Sequence, residues 1–87
     1  MSNNSVRYLQ PTDSHKSFYR KAYEYDDFDG SIVCVSYTTR VAWIDRDGQA
    51  HVKGLYSATT TRHIKSFLTA HGLPFSDSKD ILKRYQA

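Results

Sequence analysis

The chain has 87 residues, of which 39% are hydrophobic and 24% are charged, and its formal net charge at pH 7 is +3. This length fits one domain and excludes a separate catalytic lobe, and the composition is typical of a globular protein. No apolar run approaches the roughly 18 residues of a membrane span. The first ten residues lack the apolar stretch of a secretory signal, and the single cysteine cannot close an intramolecular disulfide. We therefore expect a cytoplasmic protein without a membrane partner.

The N-terminal residues differ in character from the rest of the chain. Residues 1–15 are polar and contain Pro11, which predicts a flexible arm, and residues 16–87 are predicted to form a single α+β domain. From residue 17 the sequence SFYRKAYEYD alternates as a strand does. One face of this predicted strand carries Tyr19, Lys21, Tyr23 and Tyr25.

The central segment from Ser31 to Tyr56 is rich in β-branched and aromatic residues and predicts further strands. Asp29-Gly30 precedes it and Asp47-Gly48 interrupts it, and both pairs are turn signals. A two-residue turn at Asp47-Gly48 would place Trp43 opposite Val52 and Ile44 opposite His51. We expect a second reversal within residues 37–40, and a single bent or bulged strand is the alternative. The predicted inner face then comprises Ile32, Cys34, Val41, Trp43 and Val52, and the other face comprises Val33, Val35, Tyr37, Ala42 and Ile44.

The last third of the chain predicts helices. Apolar residues at helical spacing follow Ser57 or Thr59 as the N-cap, and Gly72 is placed to end the helix. A final helix is predicted after Ser76 or Asp77. The predicted fold is α+β, with an antiparallel three- or four-stranded meander sheet packed by one or two C-terminal helices. The side chains expected to cover the Trp43 side of the sheet are Ile64, Phe67 and Leu68.

Several kinds of chemistry lack their required residues. The acidic run 24–29 does not have EF-hand spacing, the histidines form no i, i+4 pair, and the four glycines are isolated. Cys34 lies in an apolar run, where a buried and unreactive thiol is expected. We therefore predict no catalytic residue, no metal and no cofactor. The alternative is a small hydrolase that uses His63 or Cys34.

Two sets of residues are candidates for partner binding. Arg62, His63 and Lys65 lie in the first turns of the longer predicted helix, where backbone amides attract anions. Solvent, or the nearby Asp45 and Asp47, is the alternative explanation for these cations. The second set is the predicted strand face of Tyr19, Lys21, Tyr23 and Tyr25, which suits nucleobase stacking or a protein interface. Its alternative is packing beneath the N-terminal arm.

Three segments carry a resemblance to a known family. The sequences KSFYRKAYEY (16–25), SYTTRVAWI (36–44) and YSATTTRHIKSFLTAHG (56–72) resemble an uncharacterised family of small proteins from phages and prophages of Gram-positive bacteria. The resemblance implies action in the host cytoplasm and no enzymatic activity. We predict a small non-catalytic phage accessory protein that binds and inhibits a host or defence protein, as anti-CRISPR proteins do. The alternative is a nucleic-acid-binding protein that uses aromatic and basic residues.

Overall fold

A computed structural model describes residues 6–11, 18 and 20–86, and its described part is an α+β fold. Five strands form one antiparallel sheet in the order β1-β2-β3-β4-β5, and two helices follow the sheet in the chain. The element bounds are β1 (Val6–Tyr8), β2 (Ala22–Asp26), β3 (Ile32–Ser36), β4 (Thr39–Ile44), β5 (Ala50–Val52), α1 (Ala58–Ala70) and α2 (Ser78–Tyr85). The predicted fold class and the C-terminal helices are confirmed.

The sheet has five strands where three or four are predicted, and the added strand is β1. Arg7 of β1 pairs with Glu24 of β2, and its guanidinium binds the carboxylates of both Glu24 and Asp26. Next in the chain, Leu9 is buried in the core. A strand of three residues is too short to show an alternating pattern. The strand β1 therefore forms through these long-range contacts and cannot be predicted from local sequence. Residues 1–5 and 12–15 of the predicted flexible arm lie outside the described residues.

The β2–β3 and β4–β5 connections are the same type of turn. Asp27 N donates to Ser31 O at 2.8 Å and Asp45 N donates to Gln49 O at 2.9 Å, so each turn encloses three residues. The last enclosed residue is a glycine at positive φ, +91° at Gly30 and +87° at Gly48. This geometry is a type I turn followed by a residue in the left-handed conformation, and glycine adopts that conformation without strain.

The length of the β4–β5 turn corrects the predicted register. Trp43 lies opposite His51, not Val52, and Ile44 lies opposite Ala50, not His51. Because side chains alternate between the faces of a strand, a shift of one residue moves each of them to the other face. The prediction that Trp43 lies on the inner face is therefore wrong, and so is the placement of Ile44 and Ala42 outside.

The β3–β4 connection is a two-residue turn at Tyr37-Thr38, and Tyr37 has φ +59°. The predicted reversal within residues 37–40 is confirmed over the bent-strand alternative. A β-bulge interrupts β4, because Cys34 pairs with Ala42 while the next residue of β3, Val35, pairs with Arg40. The extra residue, Val41, is 1% exposed and belongs to the core.

The helix ends follow the predicted caps. The Ser57 hydroxyl accepts a hydrogen bond from Thr60 N at 3.1 Å, and Asp77 accepts from Asp80 N at 2.9 Å. At the end of α1, Leu73 N donates to Leu68 O across a left-handed Gly72.

Both helices pack against one face of the sheet, which we call the covered face. The strands supply mostly small side chains there, and the helices supply the larger ones. Its fully buried members include Ala22, Cys34, Ala42, Val52, Ile64, Phe67, Leu68 and Ile81.

Candidate functional site

The other side of the sheet carries large side chains, and we call it the open face. The strand registers arrange these side chains in two rows across the sheet. One row is Val6, Tyr25, Val33, Trp43 and His51, and the other is Tyr8, Tyr23, Val35 and Arg40. Neither helix packs on this side, because the core that contains both helices lies on the covered face.

Rings and cations contact one another along the open face. The ring centres of Trp43 and His51 are 5.0 Å apart with a 22° angle between the planes, so the two rings stack. The Arg40 guanidinium carbon lies 6.0 Å from the ring centre of Tyr25, within the range of a cation–π contact. Beneath these larger groups Val33 and Val35 are only 6% and 4% exposed. The surface is therefore aromatic and basic over an apolar base.

The open face carries no acidic side chain at its paired strand positions. The two carboxylates of β2, Glu24 and Asp26, alternate with its tyrosines and so lie on the covered side of the strand. Asp45 of the β4–β5 turn lies beside this face, and its Oδ2 is 2.9 Å from Nε2 of His51. This contact and two backbone N–H donors lower the pKa of Asp45. The formal charge at the paired strand positions of the open face is thus set by cations alone, and the carboxylates beside this face lie in the turns.

A cavity of about 370 Å³ lies where the open face meets the two three-residue turns. Such a volume is at the lower end of the range for small-ligand sites, about 300 to 1,000 Å³. Its lining residues are Asp27, Asp29, Ser31, Val33, Arg40, Trp43, Asp45, Arg46 and Lys53.

The two predicted sets of partner-binding residues lie on opposite sides of the sheet. Tyr23 and Tyr25 are half-buried on the open face, whereas Arg62, His63 and Lys65 belong to α1 on the covered face. Lys21 is exposed just before β2, and Tyr19 lies outside the described residues. The structure therefore does not combine the sets into one continuous site.

Within α1 the three predicted residues differ in exposure. His63 is 1% exposed, while Arg62 and Lys65 are half-buried. The Arg62 guanidinium carbon lies 5.2 Å from the ring centre of Phe18. A buried imidazole cannot itself touch a partner on this surface, so its contribution would be indirect.

His63 belongs to a buried polar cluster between β3 and α1. Its Nδ1 lies 2.7 Å from the Ser36 hydroxyl, which is 3.0 Å from the Thr60 hydroxyl. Burial lowers the pKa of His63, and the charge of Arg62 adds to this effect. A serine beside a neutral histidine resembles part of a catalytic triad, but the described contacts of His63 include no carboxylate to orient it. The cluster is explained by its role in joining the sheet to α1.

Glu24 forms a second buried cluster that sequence reasoning misses. Its side chain is 5% exposed, and its carboxylate lies 2.8 Å from Arg7 Nη2 and 2.9 Å from His71 Nε2. The three residues are separated by 17 and 47 positions in the chain, so no local signal reveals their contact. The cluster attaches β1 and the end of α1 to β2.

Other kinds of site find little support in the described residues. Within 6–11, 18 and 20–86, no group of three or more His, Cys, Asp or Glu side chains could hold a metal ion. No helix in the described part of the chain is long and apolar enough to cross a membrane. Cys34 is fully buried, and burial raises the pKa of its thiol, which disfavours the reactive thiolate.

Comparison with known proteins gives one positive result. No curated protein and no solved structure matches the chain significantly. The sequence model of a family of unknown function, DUF8033, matches residues 7–84, which includes every described strand and helix except the ends of β1 and α2. The chain therefore belongs to this family of unknown function.

Proposed function

We propose that the chain is a non-catalytic binding protein whose open face binds single-stranded nucleic acid. One observation carries the proposal: aromatic and basic side chains are neighbours on a sheet face that neither helix covers, and no acidic side chain shares its strand positions. Bases stack on exposed rings, and each such contact contributes about 1 to 3 kcal/mol. Arginine and lysine beside the rings attract the phosphates.

The chain offers its own reporter for this binding. Trp43 is the single tryptophan, and it lies on the open face. A base that stacks on or near its ring would change the indole fluorescence. Titration with single- and double-stranded oligonucleotides at about 50 mM and 200 mM salt should show tighter binding of the single strand and a steep loss with salt.

A matched pair of double variants tests where the strand binds. Arg40→Ala with Lys53→Ala removes two cations at the open face and should lower the salt slope by about 1.4, since each phosphate contact contributes about 0.7 for single strands. Lys79→Ala with Lys83→Ala removes the same charge from exposed positions of α2 and should leave the slope almost unchanged. Equal effects of the two pairs, or no binding at low salt, would refute the proposal.

A second candidate function is to bind a protein partner and block its surface. The exposed side chain of Phe28 favours this function. This side chain is 93% exposed at the tip of the β2–β3 turn, whose Asp27 and Asp29 line the cavity beside the open face. Exposed aromatic residues frequently anchor protein interfaces. The resemblance of the three segments to phage proteins supports a host or defence protein in the infected cell as the partner, inhibited in the manner of an anti-CRISPR protein.

Replacement of the exposed ring separates this second candidate from the first. Phe28→Ser should abolish recovery of a protein partner from host lysate if the ring is an anchor, while oligonucleotide binding changes little. The Lys79→Ala, Lys83→Ala variant serves as the control that retains the ring. Recovery that is the same with and without the Phe28 ring would exclude it as the anchor.

A further inference from the structure

The cavity beside Trp43 has two cations at one end and three carboxylates with one cation, Arg46, at the other. The β2–β3 and β4–β5 turns lie at one end of the sheet, and the Tyr37-Thr38 turn lies at the other. Arg40 lies next to the Tyr37-Thr38 turn, and Lys53 N bonds to Val41 O, so both cations belong to that end. Trp43 and Val33, which pair across β3 and β4, lie between the two ends.

The cations at the Tyr37-Thr38 end have no carboxylate partner within the described part of the chain. Arg40 contacts the ring of Tyr25, and neither Arg40 nor Lys53 forms an ion pair with a described residue. Arg40 of β4 and Lys53, which follows β5, are therefore available to a phosphate.

The opposite end presents carboxylate oxygens. Asp27 Oδ1 accepts from Phe28 N at 2.8 Å, and Asp29 Oδ1 accepts from the backbone and hydroxyl of Ser31. Among the described residues nothing donates to Oδ2 of either aspartate, whereas Asp45 uses both of its oxygens. The hydrogen bonds from Ser31 and the nearby charge of Arg46 lower the pKa of Asp29, which keeps it ionised.

These three features match the parts of one nucleotide. Cations fit a phosphate, the indole fits a flat ring, and carboxylate oxygens accept hydrogen bonds from amino groups. We infer that this cavity is a subsite for one nucleotide and that it selects bases with an exocyclic amino group, namely cytosine, adenine and guanine, over thymine and uracil. An amino group offers two protons to the two carboxylates, whereas thymine and uracil offer only the N3–H proton beside an O4 carbonyl that repels a carboxylate. This inference rests on the proposed function and adds a base preference to it.

The test compares homopolymers of equal length and the free nucleotides. We expect dC10 and dA10 to bind at least about fivefold more tightly than dT10. The affinities for free CMP and AMP, compared with that for UMP, show whether the subsite binds a single nucleotide or only a nucleotide within a strand.

Three aspartate variants locate the preference. Asp29→Asn and, separately, Asp27→Asn replace an acceptor with an amide that can donate, so either should remove or reverse the preference. Asp47→Asn is the matched control, because Asp47 occupies the position in the β4–β5 turn that Asp29 occupies in the β2–β3 turn, yet it does not line the cavity. Thermal melts establish that each variant is folded.

The outcomes separate the inference from the proposed function. Equal binding of all homopolymers overturns the base preference and leaves the proposed function standing. A preference that Asp47→Asn reduces as much as Asp29→Asn also overturns the subsite. Binding of free CMP and AMP without binding of any oligonucleotide supports the subsite and contradicts the proposed function, and binding of neither contradicts both.

Discussion

The two faces of the sheet are built from the same strands but from different kinds of side chain. On the covered face Ala22, Cys34 and Ala42 are small and fully buried, and the space above them is filled by Phe67 and other helix residues. On the open face the alternating positions of the same strands carry tyrosines, a tryptophan and an arginine. Packing accounts for the residue choices on the covered face. It does not account for aromatic rings beside cations that form no ion pair with a described residue, and these rings and cations lie on the open face.

The largest difference between the faces is expected in stability. Phe67 is 0% exposed, so Phe67→Ala should lower the free energy of unfolding by about 3 to 5 kcal/mol. Tyr8 on the open face is 49% exposed, and Tyr8→Ala should cost about 1 kcal/mol or less. Urea denaturation followed by circular dichroism measures both. Similar losses for the two variants would mean that the open face is packed rather than free.

The next effect concerns two carboxylates that share Arg7. The side chain of Glu24 is 5% exposed and that of Asp26 is 47% exposed. Glu24→Gln should cost about 2 kcal/mol, because a buried charged group loses its ion pairs. Asp26→Asn should cost much less, because water screens an exposed pair. The same denaturation experiment ranks them, and the reverse order would contradict the burial of Glu24.

A smaller effect is expected from pH through His63. Its pKa is lower in the folded protein than the ordinary value of 6.5, so the neutral form is favoured by folding. The stabilisation is complete above pH 6.5 and is lost as the pH falls below that value. Carboxylates with lowered pKa values, such as Asp45, add their own loss only near pH 4 and below.

The measurement is the melting temperature between pH 7.5 and pH 5.0. Wild type should lose more over this interval than His63→Asn, in which an amide can still bond to Ser36 but does not titrate. Parallel profiles for the two proteins would show that His63 is not responsible.

The smallest effect on stability should come from the variants used to test binding. Arg40→Ala with Lys53→Ala and Lys79→Ala with Lys83→Ala are each expected to stay within about 1 kcal/mol of wild type. Denaturation curves provide the check. A large loss for the open-face pair alone would attribute any weakened binding to unfolding.

The parts of the fold that sequence predicts well are those fixed by near neighbours. Ser57 and Asp77 accept hydrogen bonds from the backbone N–H groups of Thr60 and Asp80, and Gly72 ends α1, all through contacts within five residues. Both Asp-Gly pairs are correctly predicted to lie in turns. An Asp-Gly pair suits a turn of two residues as well as one of three, however. The length of the β4–β5 turn decides on which side of the sheet Trp43 lies.

The candidate site was harder to predict because it depends on these registers and on distant contacts. Tyr23 and Tyr25 do share a face, as their alternation indicates. Trp43 joins them only once the β4–β5 turn has its observed length. The contacts of Arg7 and His71 with Glu24 span 17 and 47 residues, beyond any local pattern. Whether Arg62 and Lys65 bind a partner stays a prediction.

The β-bulge at Val41 shifts the alternation of side chains along β4, and so determines which of them lie on the open face. In an uninterrupted β4, alternation from Ile44 would put Val41 on the open face and aim Arg40 at the helices, where an unpaired guanidinium would be costly. The inserted residue lets Val41 join the core and turns Arg40 towards Tyr25. Regular pairing of the same residues without the bulge would thus exchange a cation for a valine on the surface. The basic character of that surface is a property of backbone register as much as of amino-acid composition.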